Sequence, residues 1–475
     1  MWLTGCAVGP NYKHPPTAVV PPAFKETPPN WQAAQPKDQF AKGQWWAVYD
    51  DPLLSELEAK VNVSNQSLKA SLAQYVQSRA LVRYNRASLY PTVTANPQGS
   101  RNRQSQDRAL ASVLSVTNYS DITLPVDVSW EPDVFGRLRR TVEQARANAQ
   151  VSAADTESLS LSLHAELASD YFMLRTLDAE ERLLRDTVTA YEQTLQLTQQ
   201  RYQGGVASAV DVAQAETQLQ STRAQAVDVQ VTRSQFEHAI AVLVGQPPAT
   251  FSIPFSPWNA APPPTPPGLA SDLLERRPDI AAAERGVAAA TAGLGIARAT
   301  YFPTFSITGS GGFESDSITN LISGPAGFYS ILGSSLVTLF DVGRRRAVNE
   351  QAQAIYDQTA ANYRQTILTA YQEVEDDLVA LRILEGEAQT QQAAVAAAQQ
   401  SLQLSNNRYR GGVVSYLEVI TAQTTALTNE RAAVDILRRR MTASVDLIKA
   451  LGGGWSPSNL PSGNPGSDVS LSSGQ

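Results

Sequence analysis

The sequence predicts a mainly α-helical chain with a minor, membrane-type β component, folded as two copies of one plan. Three observations carry this reading. Residues 195–206 (LQLTQQRYQGGV) recur without a gap at 402–413 (LQLSNNRYRGGV), an offset of 207 residues, and a repeat of that kind sets the architecture before any single motif does. From about Gly136 to Gln203 no glycine or proline interrupts a helical pattern, and about 65 residues at about 1.5 Å each make a rod near 100 Å. Short segments between the helices alternate apolar and polar side chains with period two, as a strand with one greasy and one wet face does.

The elements follow in chain order. Leu3, Thr4, Gly5 and Cys6 form an L-x-G-C box, in which small residues let a signal peptidase reach the bond before a cysteine that then carries lipid. Only Met1 and Trp2 precede it, so the charged and apolar parts of a secretory signal are missing and the signal peptide reads as truncated or differently started. Residues 1–45 are thus a lipid-anchor region, with a proline-rich extended tether from Gly9 to Pro36. The first repeat, 46–245, holds a helix, two strands over about 91–134, a long helix over about 136–203 and a return helix over about 208–245. A linker at 246–268 with nine prolines cannot continue a helix or a ladder. The second repeat, 269–451, holds a helix over about 278–301, two strands over about 303–342, a long helix over about 344–409 and a return helix over about 415–450. Residues 452–475, rich in Gly, Ser and Pro, read as a flexible tail.

Spacing along the long helices alternates between three and four residues: Leu184, Val188, Tyr191, Leu195, Thr198 and Tyr202 in one, Val395, Ala398, Leu402, Ser405 and Tyr409 in the other. Such a 3.5-residue repeat makes coiled-coil seams, which a structural stalk would also show. The strands separate the two readings. Ile122, Leu124, Val126, Val128 and Trp130 alternate with Asp121, Thr123, Asp127 and Ser129, and Phe305, Ile307 and Phe313 alternate with Thr304, Ser306, Thr308 and Ser310. Two strands per half make four, and the smallest membrane barrels use about eight. The chain must therefore pool strands with copies of itself in a closed cyclic oligomer, lipid outside and Thr, Ser and Asp toward water. A soluble sandwich is the alternative for each strand taken alone.

Composition narrows the function. The net charge is -7, and the longest basic runs are the triplets 344–346 and 438–440, which argues against a nucleic-acid partner. Cys6 is the only thiol, and His14, His164 and His238 stand far apart, so no metal-ligand spacing exists. The most apolar helix candidate, 280–302, is broken by Glu284, Arg285 and Arg298, leaving no transmembrane helix. Gly309-Ser-Gly-Gly312 is not followed by the Lys-Ser/Thr of a phosphate loop and no nucleophile motif occurs, so an enzyme is not expected.

Together, Trp45 to Leu57 (WWAVYDDPLLSEL), Asp272 to Ile280 (DLLERRPDI), Ala297 to Pro303 (ARATYFP), Phe340 to Arg344 (FDVGR) and both RYxGGV turns resemble the lipoprotein branch of the TolC-like outer-membrane factors, the NodT-type efflux channels. The resemblance covers nearly the whole chain. It implies a homotrimer whose chains each give four strands to a twelve-stranded outer-membrane β-barrel, continuous with a periplasmic α-helical barrel. It further implies an exit duct for drugs or toxic small molecules, passed from an inner-membrane pump, of the RND type, through a periplasmic adaptor. No cofactor is implied beyond lipid on Cys6, N-acyl and S-diacylglycerol, in the outer membrane, and Ala7 offers no inner-membrane retention signal. A type I secretion duct, or a trimeric coiled-coil structural protein or adhesin, is the alternative.

In the family the helix reversals form a periplasmic end that opens like an iris. The resemblance places the turns at Gly204, Gly205, Gly411 and Gly412, a latch at Asp211 and Tyr409, a constricting ring at Leu417 and a pore-facing acid at Glu418. Thr421 stands where many members have a second aspartate and Val414 where some have an arginine, so the charged collar is thinner. Asp211 and Glu418 also fall in first helical turns, where any carboxylate meets the positive end of the dipole.

Overall fold

The computed structural model describes residues 7–14, 23–26, 44–103, 105, 118–258, 260–263, 277–453 and 455. The chain is mainly helical with a duplicated plan. In order it forms α1 (Pro52–Ser64), α2 (Gln66–Ala87), β1 (Thr92–Ala95), β2 (Gln98–Arg103), β3 (Asn118–Trp130), α3 (Arg137–Gln203), α4 (Ala209–Leu243), α5 (Pro278–Ala299), β4 (Thr304–Ser315), β5 (Gly327–Leu336), α6 (Arg344–Arg410) and α7 (Tyr416–Ala450). Helix starts are marked locally: the Asp51 carboxylate accepts from the Leu53 and Leu54 N–H groups at 2.9 and 3.0 Å, with Pro52 just inside the helix.

The sheet is antiparallel throughout and has four strand positions made from five pieces. β1 pairs with Val126 to Ser129 of β3, and β2 pairs with Asn118 to Thr123 of the same strand. One position expected as a single strand is thus broken at Asn96 and Pro97, because proline brings no ladder donor. Register confirms the two faces. Ala95, Val126, Gly311 and Tyr329 lie in one row, and the next row holds Thr94, Asp127, Ser310 and Ser330. β5 is less regular, since Leu332 falls in register with Thr308 and Leu336 with Thr304. Within β3, Pro125 lies opposite Gly312, where a Cβ would stand 2.1 Å from the Leu124 carbonyl, so only glycine admits so close an approach. Among the described residues nothing covers the apolar face: Tyr329 is 86% exposed. Among the described residues both outer positions, β1/β2 and β5, have one unpaired edge.

α3 and α6 have 67 residues each, and α4 and α7 have 35 each. α2, the first part of α3, α5 and the first part of α6 stand side by side below the sheet, and toward the far end α3 pairs with α4 and α6 with α7. α5 fits between its neighbours because it is rich in small residues: Ala281, Ala288, Ala289 and Ala292 are buried there. Midway along the rods a core gathers Trp46, Leu57, Leu167, Phe172, Ile240 and Val445 from five segments.

Polar ties fix the irregular segments to this frame. Asp178, fully buried, accepts from Arg233 Nε at 2.6 Å, Arg175 Nη1 at 3.2 Å and the Ser256 N–H at 2.9 Å. The same arginines donate to the Pro254 and Ile253 carbonyls, so the start of the proline-rich linker is clamped to α3 and α4. The segment expected as a loose tether is docked where it is described. The Val8 N–H donates to the Phe135 carbonyl at 3.0 Å, Arg140 Nη2 to Asn11 Oδ1 at 2.7 Å, and the Lys25 N–H to Glu375 Oε1 at 2.7 Å. Trp455, at the start of the expected tail, packs on Ala154 and Ala281.

Candidate functional site

The site is the end of the molecule away from the sheet, where both helical hairpins reverse. Each long helix closes in the same way. The Val206 N–H donates to the Arg201 carbonyl and the Gly205 N–H to the Tyr202 carbonyl; Val413 and Gly412 repeat this onto Arg408 and Tyr409. These double bonds are Schellman closures. Their left-handed residues are Gly205 (φ 75°) and Gly412 (φ 76°), whereas Gly204 and Gly411 keep ordinary negative φ. Of each expected glycine pair, the second supplies the backbone freedom.

The hairpins then lock together through Tyr409. Its ring is 3% exposed, with the Arg201 guanidinium over its face at 4.6 Å and the Tyr416 ring at 5.5 Å. Arg201 Nη1 donates to the Tyr409 carbonyl at 2.5 Å and the Arg410 carbonyl at 3.2 Å. It thereby satisfies carbonyls at a helix C-terminus, where positive charge is favoured. Tyr191, Leu195, Leu219 and Val419 complete an apolar plug, and burial pushes the Tyr416 and Tyr191 phenols above their ordinary range.

Asp211 and Tyr409, read from the resemblance as one latch, have different partners within the chain. The Asp211 carboxylate accepts from the Ser208 N–H at 2.9 Å while Ser208 Oγ accepts from the Asp211 N–H, a complete capping box. The Tyr409 hydroxyl donates to Thr198 Oγ1 at 3.3 Å instead. The short aspartate reaches its own N-cap and no further. Glu418, its repeat counterpart, has one more methylene and accepts from Arg408 Nη1 at 2.7 Å. Leu417 is 59% exposed beside it. Sequence reading missed Arg201 and Arg408, although both open the duplicated RYxGGV motif that marked the turns.

The remaining sequence candidates lie elsewhere. Cys6 falls outside the described residues; Ala7, which follows it, lies against Gly136 at the junction of β3 and α3. His164 is no ligand. Its Nδ1 stands 2.6 Å from Glu58, its Nε2 3.1 Å from Asn62 Oδ1, and its ring stacks on Trp46. Burial pushes Glu58 well above the usual carboxylate range and His164 down to about 4, which makes the pair a neutral hydrogen bond. Among the described residues no cluster of His, Cys, Asp and Glu could hold a metal ion, and no helix is long and apolar enough to cross a membrane.

A half-open sheet with one lipid-compatible face, set on paired rods about 100 Å long, defines a channel-forming protein of the outer membrane. The chain belongs to the outer membrane efflux protein family, whose profile matches residues 59–246 and 269–453. It is 33% identical over 455 residues to the probable efflux pump outer membrane protein TtgC of Pseudomonas putida, covering 95% of this chain and 93% of that protein. It is 28% identical to the probable outer membrane lipoprotein SilC of Salmonella typhimurium, over 95% of this chain and 96% of the other. The structure of the outer-membrane channel OprN superposes with a TM-score of 0.87 at 30% identity, covering 95% of this chain and all of that one. The chain is an outer-membrane channel of an efflux pump, and not an enzyme.

Proposed function

We propose that three copies close one twelve-stranded barrel and one helical barrel, and that the hairpin tips form an iris-like gate at the periplasmic end. The observation that carries this is the sheet: among the described residues it has four strand positions, an edge open on each side, and apolar and polar rows in register. An open edge invites pairing, and an apolar face of that extent needs lipid. β5 of one copy would pair with β1/β2 of the next. At the gate, Leu417 forms the constricting ring, while Asp211, Tyr409 and Glu418 set how firmly the tips close. Because Arg408 already neutralises Glu418, the collar is only weakly cation-selective.

The duct takes drugs or other toxic small molecules from an inner-membrane pump of the RND type through a periplasmic adaptor, and so contributes to multidrug resistance. Lipid on Cys6 is supported by the docking of Ala7 at the junction of sheet and helices, the level at which a barrel meets the inner leaflet, and by the lipoprotein name of the relative SilC. Cross-linking in native envelopes, followed by planar-bilayer conductance of the purified protein, tests the assembly. Monomers alone, or detergent-soluble protein that forms no pores, would end this reading. Acyl labelling of a chain with a complete signal should vanish in Cys6→Ser while trimers persist, and a drug-susceptibility profile of a deletion strain would identify the cargo.

A further inference from the structure

The offset of 207 residues pairs every position at the tip of the first hairpin with one on the second, yet only half of the resulting contacts are made inside the chain. Tyr409 leaves the second hairpin and enters the first, with its hydroxyl on Thr198 and Arg201 over its ring. Its counterpart on the first hairpin, Tyr202, is 51% exposed. The counterparts of Thr198 and Arg201 are Ser405 and Arg408, both on the second hairpin. Ser405 lines an open groove of about 450 Å³ between α6 and α7, with Ala398, Glu418 and Ala422 beside it. The equivalent positions of the first hairpin are Tyr191, Thr198, Asp211 and Ala215, and three of these, Tyr191, Thr198 and Ala215, belong to the surroundings that hold Tyr409. Among the described residues there is thus a knob with no hole and a hole with no knob, built on the pattern of a pair that is filled.

The step that carries the first hairpin onto the second, applied once more, brings the first hairpin of another copy against that groove. Such a head-to-tail contact closes a ring when the rotation closes. We propose that Tyr202 of one copy inserts between α6 and α7 of the next, its hydroxyl on Ser405 and its ring under Arg408, whose side chain is 55% exposed and held from one side by Glu418. The inference rests on the ring of copies proposed above. Arg408 would then face the carbonyls of Tyr202 and Gln203 as Arg201 faces those of Tyr409 and Arg410, and Glu418 keeps it aimed there.

The two kinds of seam are not equally filled. Where the seam within a chain has Tyr191, Leu219 and Tyr416, the seam between copies has Ala398, Ala426 and Ala209. Less apolar surface is buried there, and the stabilisation falls in proportion. The seam between copies is therefore the weaker of the two.

The pairs Tyr202→Cys with Ser405→Cys, and Tyr202→Cys with Ala398→Cys as a second choice, treated with a short bifunctional thiol reagent, should give dimer and trimer bands on a denaturing gel. Thr198→Cys with Tyr409→Cys should join only within one chain and stay at the monomer position. If both inter-copy pairs stay monomeric while amine cross-linking of the same sample yields trimers, this seam is wrong and the ring survives. If neither reagent yields oligomers, the ring itself is wrong and the seam falls with it.

Discussion

Replacing Arg201 by alanine removes the guanidinium that ties the first hairpin to the second. The loss is one good charge-assisted hydrogen bond to the Tyr409 carbonyl, a weaker one to the exposed Arg410 carbonyl, and the cation–π contact with the Tyr409 ring. A hydrogen bond to a charged group contributes about 1.5–3 kcal/mol, and a cation–π contact at a partly exposed site about 0.5–1 kcal/mol. The second carbonyl adds little in water, so the change is about 2–3 kcal/mol per chain, which at about 1.4 kcal/mol per tenfold shifts a closed-to-open ratio by at least tenfold. Single-channel recording of trimers in planar bilayers should show Arg201→Ala open more often, or at higher conductance, than the parent protein. Arg201→Lys should fall between, because a lysine keeps the charge without the fork that spans carbonyl and ring. Intact Arg201→Ala trimers with unchanged traces would refute the idea that this contact holds the tip.

Asp211→Ala should act through the helix end: loss of the capping box costs about 1 kcal/mol, so thermal melting drops slightly and conductance changes less than in Arg201→Ala. A larger effect of Asp211→Ala on the channel would show that its carboxylate has a partner in another copy. Asp178→Ala leaves Arg175 and Arg233 buried without their shared carboxylate, a loss of about 3–5 kcal/mol; melting in detergent should fall sharply and limited proteolysis should cut within 247–258, and an unaltered digest would contradict the clamp. Burial, aided by Asp446, Glu373 and Asp376, pushes the Asp377 carboxyl up from 3.8 to about 8. The folded chain then holds a proton that the unfolded chain has lost, so stability declines as pH rises from about 4 to about 8 and levels above. Asp377→Asn should flatten that decline in melting temperature, and parallel curves for the two proteins would exclude it.

Much of this architecture was legible because each part of it is a periodicity. Seams spaced three and four residues apart became the buried Leu184, Tyr191, Leu195 and Thr198, and the alternation around Val126 became rows shared across three strands. What stayed hidden depends on which groups meet in space. Arg201 and Arg408 open the same motif, yet one reaches backbone carbonyls of the other hairpin and the other its own Glu418, because among the described residues only the first hairpin has a neighbour on that side. Nothing local distinguishes Glu58 as a buried acid, since its partner His164 lies 106 residues away. The break at Asn96 and Pro97 was visible in principle, as a proline inside an expected strand.

The two hairpins have the same dimensions, 67 residues descending and 35 returning in each. Their turns consequently finish level, and a closed assembly would present a flat rim of near-identical corners to whatever abuts it. One extra helical turn on a single arm adds about 5.4 Å and would leave a castellated edge. Length changes should therefore be tolerated only when made in both arms together.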